Sequence, residues 1–229
     1  ESQPELAIAV NGEAPGVFAA ELLQTGGQLL QISTDSIFDG NQVIPYKTKH
    51  IANPLNTYGR SKLYGELAID NLLSTSGKGT ILRTSWIMGS TGHSFVKTML
   101  EIHQKKRSCK VISDQFSAPT CSLTLAMVCW RIISLKSNIN KIPFILHCTD
   151  KGVASWFDIA VEVGKIGKEI GILNEIAKVE PISSYEYPSP AKRPKYSKLD
   201  CQLTYKKLGL QQIDWKITLK KLLKQITNQ

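Results

Sequence analysis

The chain has 229 residues, of which 42% are hydrophobic and 21% are charged, and these proportions exclude a disordered or fibrous protein. No uninterrupted apolar run reaches the length of a membrane helix, and the N-terminus shows no secretory signal, so we predict a cytoplasmic protein without a membrane partner. The formal net charge is +9, but the densest lysines alternate with leucines and isoleucines at helical spacing, which favours a solvated helix face and no nucleic-acid partner.

The predicted elements alternate between helices and strands. A helix is expected from Ser2 to the Gly26-Gly27 pair, with a disturbance near Pro15. Short apolar strands are predicted at 28–34, 80–86 and 144–148, and helices at 57–72, 93–107, 121–135 and 155–171. A proline-rich stretch at 180–194 precedes two short helical segments. Strands that alternate with long helices predict a parallel α/β sheet.

Three parallel strands would leave part of a sheet uncovered, since parallel strands need neighbours at both edges and cover on both faces. The predicted fold class is therefore α/β, namely a partial, Rossmann-like, doubly wound parallel sheet whose first βαβ unit is missing. Beyond residue 150 the alternation ends, and this change predicts a smaller C-terminal region packed against the sheet.

Tyr58 and Lys62 lie four residues apart in a predicted helix, so their side chains share one face. A phenol has a pKa of about 10, and a neighbouring ammonium lowers that pKa, which would make Tyr58 a usable general acid or base. Thr34 ends a predicted parallel strand, where doubly wound sheets bind their ligands, and its hydroxyl could bond to a reacting carbonyl oxygen. Taken alone, the Tyr–Lys spacing is equally typical of a surface pair.

The segments around these residues resemble the extended short-chain dehydrogenase/reductases, and within them the dTDP-4-dehydrorhamnose reductase family. The similar segments are Ser33-Thr-Asp-x-x-Phe-Asp-Gly40, Asn53-Pro-Leu-Asn-Thr-Tyr-Gly-Arg-Ser-Lys-Leu-x-Gly-Glu66, Leu82-Arg-Thr-Ser-Trp86 and Pro190-Ala-Lys-Arg-Pro-x-x-Ser-x-Leu-Asp200. The resemblance extends over nearly the whole chain, with the segments in the family's order.

The resemblance implies a reductase that transfers hydride from NADPH or NADH to C4 of a dTDP-4-keto-6-deoxy sugar, in the synthesis of a cell-envelope polysaccharide precursor. Tyr58 would protonate the resulting alkoxide, Lys62 would bind the nicotinamide ribose, and Thr34 would complete the catalytic set. Tyr58, Lys62 and Ser33 are the predicted cofactor contacts.

The predicted substrate contacts are Thr34, Asp35, Trp86 and Arg193. By the resemblance, the indole of Trp86 would face the 6-deoxy sugar, and Arg193 would pair with the diphosphate. A core position for Trp86 and a salt bridge within the C-terminal region for Arg193 are the alternatives.

In the family, a Gly-rich turn holds the cofactor pyrophosphate at a helix N-terminus, and this sequence contains no such turn. The resemblance implies that the first βαβ unit precedes Glu1, so this polypeptide alone should bind dinucleotide weakly in calorimetric titration. Residues 1–150 would then form the C-terminal part of a dinucleotide-binding domain, and residues 151–229 a substrate-binding region packed against it.

Two other functions remain open. The chain could be a non-catalytic regulator similar to the β subunit of methionine adenosyltransferase, or a sister nucleotide-sugar epimerase or dehydratase. Five cysteines without a CxxC pair and four histidines without ligand spacing predict reduced thiols and no metal site. The expected partner is a nucleotide-sugar substrate, and a homodimer is left open.

Overall fold

The computed structural model describes residues 1–105, 108–135, 142–187 and 189–227. The α-helices in these ranges are Pro4–Ile8 (α1), Ala14–Thr25 (α2), Thr57–Leu73 (α3), Phe95–Lys105 (α4), Ser122–Ser134 (α5), Trp156–Glu169 (α6), Gln202–Leu208 (α7) and Trp215–Thr227 (α8). The strands are Leu29–Thr34 (β1), Gly79–Thr84 (β2), Ile87–Met88 (β3), Ser108–Ile112 (β4), Phe116–Ser117 (β5), Thr120–Cys121 (β6), Ile145–His147 (β7), Ala154–Ser155 (β8) and Lys178–Ile182 (β9). The last two residues of the helix predicted at 93–107 lie outside the described residues.

The N-terminal helical run joins α1 and α2 through a π-helical stretch, Ala9–Glu13. Pro15 lacks a backbone N–H, so it cannot bond to the Asn11 carbonyl four residues earlier. That carbonyl lies against Gly65 of α3, where an added Cβ would be 2.2 Å from the Asn11 oxygen. The close approach of the two helices therefore requires glycine at position 65. Gly26, with φ +80°, ends the run as the sequence predicts.

The run Pro4–Thr25 also corrects one expectation from the sequence. Its mean hydropathy is 1.3 over an 18-residue window, so by length and composition alone it could cross a membrane, and it is the one helix in the described part of the chain that could. Core helices of globular domains also meet this criterion, but they are mostly buried, whereas 17% of this window is buried. The run contacts α3 through its Gly12 and Gly16.

The chain divides into two compact units. The first comprises Glu1–Ser85, Leu125–Cys148 and Pro190–Gln211, and the second comprises Trp86–Thr124, Thr149–Ser189 and Gln212–Gln229. This division differs from a single boundary near residue 150, because the chain passes repeatedly from one unit to the other. The cofactor-binding and substrate-binding roles of the two predicted regions remain predictions.

The first unit contains a three-stranded parallel sheet in the order β1-β2-β7. Alternate residues of each strand face opposite helix layers: Leu82 contacts the cluster that contains α5, whereas Arg83 reaches Glu66 of α3. The aliphatic cluster beneath α5 consists of Leu82, Val128, Ile132, Leu146, Cys148 and Leu208. Helices on both faces of a parallel sheet confirm the predicted doubly wound α/β fold class.

The second unit packs α4, α6 and α8 around one apolar cluster and carries a parallel pair formed by β4 and β9. The apolar face of α8 is buried, with Trp215, Leu219 and Leu222 at 3% exposure or less. Two partly exposed lysines of α8 pair with α6, where Lys216 lies 3.6 Å from Glu162 and Lys220 lies 2.6 Å from Glu169. The predicted amphipathic basic helix is therefore confirmed.

A fully buried histidine, His147, lies on β7 next to Arg83 of β2. Burial and the Arg83 charge lower the pKa of His147 to about 3, although backbone groups of Tyr46 and Asp200 act in the opposite direction. Neither ring nitrogen forms a hydrogen bond with the described residues. The imidazole is thus neutral when the protein is folded, and protonation favours the unfolded chain.

We therefore expect the free energy of unfolding to fall as the pH drops from about 6.5, the ordinary histidine pKa, towards 3. Across that window His147 contributes a slope of about 1.4 kcal/mol per pH unit. Urea denaturation at several pH values checks this, with His147→Leu expected to show the shallower dependence. The matched variant His93→Leu, at an exposed site, should keep the parent slope. Equal slopes in all three proteins would contradict the assignment.

Candidate active site

The N-terminus of α3 is fixed by Asn56. The Asn56 side-chain oxygen accepts from the Gly59 N–H at 2.7 Å, and its amide nitrogen donates to the Lys192 carbonyl at 2.9 Å. This cap satisfies a helix N–H that has no partner within the helix, so α3 begins at Thr57. Tyr58 is consequently held in the first turn.

Thr34 lies where β1 ends and a short 3-10 turn, Asp35–Ile37, begins. Its Oγ1 accepts from the Ser36 N–H at 3.1 Å and donates to Oδ1 of Asp35 at 3.2 Å, and the Tyr58 phenol hydrogen-bonds to the same side chain. A hydroxyl has one hydrogen and two lone pairs. The hydrogen goes to Asp35, and one lone pair receives the Ser36 N–H.

Lys62 reaches the same end of β1. Its Nζ donates to the Ile32 carbonyl at 2.7 Å, two residues before Thr34 on the strand. Burial lowers the pKa of Lys62, and the Glu66 carboxylate one turn further along α3 raises it in part. An ammonium has three donors, so two N–H groups remain for other partners. Thr34, Tyr58 and Lys62 thus converge on the carboxyl end of β1.

The pKa of Tyr58 differs from the expectation based on sequence. Burial raises the pKa of this phenol, the hydrogen bond with Thr34 lowers it, and the Asp35 carboxylate raises it again, so the net direction is upward. Lys62 donates to the Ile32 carbonyl, and the net shift of the Tyr58 pKa is upward. Tyr58 therefore keeps its proton at neutral pH, as a group that donates a proton must.

Ser33 and Asp35 flank Thr34 and are both buried, at 3% and 4% exposure. The Ser33 hydroxyl is buried and has no hydrogen-bond partner among the described residues, and its expected contact with the cofactor stays a prediction. Both Asp35 oxygens are engaged within the chain, since Oδ1 accepts from Thr34 and Oδ2 accepts from Ser197 at 2.5 Å. The expected contact of Asp35 with substrate stays a prediction.

Trp86 belongs to the second unit, and Arg193 belongs to the first. The Trp86 backbone has φ +43°, a left-handed conformation that costs free energy in a residue with a side chain. Its indole is partly buried and stacks on Trp156 with ring centres 3.9 Å apart. Such strain next to a strand end is typical of binding sites, although the contact with the apolar cluster also agrees with the core interpretation. Arg193 is exposed, in the segment that follows Pro190.

Gly59 allows α3 to approach the turn after Thr34. A Cβ at position 59 would lie 2.2 Å from the Ser36 carbonyl oxygen and 2.9 Å from the Pro54 side chain. We therefore expect Gly59→Ala to displace the first turn of α3 and to lower the free energy of unfolding by about 1–3 kcal/mol.

Urea denaturation checks this prediction, with Gly89→Ala as the control. The nearest atom to a Cβ at position 89 is 3.7 Å away, which is ordinary contact. Equal stability of the two variants would show that the approach at Gly59 is not needed.

The sequence analysis missed four residues that build this site: Asn56, Gly59, Glu66 and Ser197. Each stands in a segment that carries the family resemblance, and Asn56 also has the residue type that favours a helix N-cap. Asn56 caps α3, and Gly59 allows α3 to approach the turn after Thr34. Glu66 forms a buried ion pair, and Ser197 holds Asp35. Three of these functions depend on contacts between elements, which a linear pattern does not show, whereas the Asn56 cap is local to the start of α3.

Comparison with known proteins identifies the family. The protein-family model described as "RmlD substrate binding domain" matches residues 1–228. A dTDP-4-dehydrorhamnose reductase of Escherichia coli is 31% identical over 226 residues, which cover 99% of this chain and 75% of that protein. The chain thus spans about three quarters of the length of this relative.

Solved structures agree with this match. A dTDP-4-dehydrorhamnose reductase of Clostridium acetobutylicum has a TM-score of 0.88 at 36% identity, covering 99% of this chain and 76% of that one. The enzyme of Bacillus anthracis, solved in complex with NADP, has a TM-score of 0.84 at 29% identity, covering 98% and 75%. The chain belongs to the dTDP-4-dehydrorhamnose reductase family.

Proposed function

We propose that the protein reduces the C4 keto group of dTDP-4-dehydrorhamnose to a hydroxyl, with NADPH or NADH as the hydride donor. The convergence of Thr34, Tyr58 and Lys62 at the carboxyl end of β1 carries this proposal. A relative is named dTDP-4-dehydrorhamnose reductase, and another relative of that name was solved with NADP. A regulatory subunit would not need these three groups together.

The residues at the end of β1 fit a nicotinamide cofactor. Lys62 has two N–H groups beyond its bond to Ile32, and the buried Ser33 hydroxyl has no partner among the described residues, so both suit ribose hydroxyls. Tyr58 is half-exposed and lies on the same helix face as Lys62. When bound, the cofactor supplies the hydride.

Tyr58 supplies the proton. As negative charge develops on the C4 oxygen, the Tyr58 O–H bond breaks and a new O–H bond forms on the sugar, leaving a phenolate that solvent reprotonates. The raised pKa keeps the proton on Tyr58 until that charge appears. Thr34 holds the phenol in the direction of the reaction.

The substrate contacts belong to the same proposal. Trp86 would offer the apolar face of its indole to the 6-deoxy sugar, Arg193 would pair with the diphosphate, and Thr34 with Asp35 would face the sugar ring. The protein would act in the cytoplasm on this nucleotide sugar, without a nucleic-acid or membrane partner.

The test is an assay of the full-length protein with dTDP-4-dehydro-L-rhamnose and either NADPH or NADH. We expect loss of nicotinamide absorbance in step with formation of dTDP-L-rhamnose, identified by mass spectrometry and proton NMR. A parallel assay with UDP-glucose and NAD tests for an epimerase. No oxidation of the cofactor, together with recovery of a methionine adenosyltransferase in a pull-down, would replace the reductase by the regulatory function.

A further inference from the structure

The segment 190–200 is fixed against the first unit by backbone hydrogen bonds. The Tyr46 N–H donates to the Lys198 carbonyl at 2.8 Å, and the Asp200 N–H donates to the Tyr46 carbonyl at 2.8 Å. Leu199, between them, is 2% exposed in an apolar cluster with Tyr46. Ser197 immediately precedes this anchor, so its backbone position is set by groups other than its own side chain.

The Ser197 hydroxyl forms a hydrogen bond with one partner, the Asp35 carboxylate. It is 2% exposed and donates to Oδ2 of Asp35 at 2.5 Å, although 162 residues separate the two in sequence. A hydroxyl that donates to a carboxylate forms a short, charge-assisted bond. The other oxygen of Asp35 accepts from Thr34. The Asp35 carboxylate therefore accepts both from Ser197 of the C-terminal segment and from Thr34 at the end of β1.

We infer that Ser197 is a positioning residue of the proposed reductase site, since its hydroxyl holds the Asp35 carboxylate in the orientation that fixes Thr34 against Tyr58. This inference rests on the proposed function. The Thr34 side chain is held in its rotamer by the bond from its own hydrogen to Asp35 and by the bond that it accepts from the Ser36 N–H. Without Ser197 the carboxylate loses a donor and can rotate, and the Thr34 side chain can then change rotamer.

The kinetic test compares Ser197→Ala with Thr204→Val. Thr204 also lies in the C-terminal part of the first unit and is 1% exposed, and its hydroxyl accepts from the backbone N–H of His147 at 3.1 Å. Both variants thus lose a buried hydroxyl, but only Ser197 contacts Asp35. We expect kcat to fall about tenfold in Ser197→Ala, with KM for sugar and cofactor within about twofold, because one charge-assisted bond is lost. Thr204→Val should keep the parent kcat.

A double-mutant cycle with Asp35→Asn shows whether Ser197 acts through Asp35. We expect the loss caused by Ser197→Ala to shrink in the Asp35→Asn background, since the carboxylate it holds is already gone. Fully additive losses, or an unchanged kcat in Ser197→Ala, would overturn the inference. A rise in KM for the sugar without loss of kcat would also overturn it, because it would indicate direct substrate binding.

A second readout does not depend on turnover. Methyl NMR of Thr34 reports its side-chain rotamer, and we expect one rotamer in the parent and in Thr204→Val, and averaging between rotamers in Ser197→Ala. If the parent protein shows no reductase activity, the proposed function fails while this measurement still decides the role of Ser197. A single unchanged Thr34 rotamer in Ser197→Ala overturns the inference in either case.

Discussion

Replacement of Tyr58 by phenylalanine is expected to lower kcat in the full-length protein by about 10²–10⁴-fold, the range typical of a lost general acid. The phenylalanine ring keeps the shape of the side chain but has no hydroxyl to protonate the C4 oxygen. The Tyr58 side chain is 49% exposed, so removal of one oxygen leaves little unsatisfied within the protein. We therefore expect KM values and the urea midpoint to stay near those of the parent.

Tyr64→Phe is the matched control for this variant. Tyr64 lies on the same helix, is 52% exposed, and packs its ring against Gly12. Loss of its hydroxyl should leave kcat within about twofold of the parent. Near-normal turnover in Tyr58→Phe would refute the role of Tyr58 as the acid, whereas equal loss in both variants would point to disturbance of α3 instead.

The part of the site that the sequence could predict is the part that depends on local geometry. A helix places residues four apart on one face, so Tyr58 and Lys62 had to be neighbours once α3 formed. A parallel strand exposes its carboxyl end to ligands, and Thr34 is the last residue of β1. The strands predicted at 28–34 and 80–86 are confirmed within two residues at each end.

The direction of the Tyr58 pKa shift could not be predicted in this way. The spacing suggested that the Lys62 ammonium would lower that pKa, but the net shift is upward. Burial and the Asp35 charge, which come from the tertiary fold, then raise it. For the same reason the bond between Ser197 and Asp35 was not foreseen, because the two residues are far apart in sequence.

The fold was predicted less well where strands are polar. The pairing of β4 with β9 was missed, because Lys110 lies opposite Glu180 and Val111 lies opposite Pro181. Such residues, taken in their local sequence, suggest a loop. In addition, β9 overlaps the stretch that was interpreted as proline-rich. Two regions were predicted, but not that each unit is built from three separate segments, because only contacts between distant segments define them.

A buried ion pair between Glu66 and Arg83 gives the largest expected effect on stability. The Arg83 guanidinium donates to both Glu66 oxygens, with distances of 2.6–3.1 Å, and the two side chains are only 4% and 5% exposed. Arg83 also donates to the Thr48 carbonyl at 3.2 Å. Glu66→Gln would leave the guanidinium buried without its counter-charge, and we expect the free energy of unfolding to fall by about 3–5 kcal/mol.

Urea denaturation of three variants separates the charge effect from the loss of contacts. Glu101→Gln removes one member of an exposed pair, in which Glu101 and Lys105 are 3.8 Å apart and more than half exposed, and should cost less than about 1 kcal/mol. The double variant Glu66→Met with Arg83→Leu removes both buried charges, so it should be more stable than Glu66→Gln. If the double variant is instead the less stable of the two, the main cost is the loss of the paired hydrogen bonds and not the unpaired charge. These hydrogen bonds would then hold α3 against β2. In that case the position of Lys62 and Tyr58 on the same helix would depend directly on this ion pair.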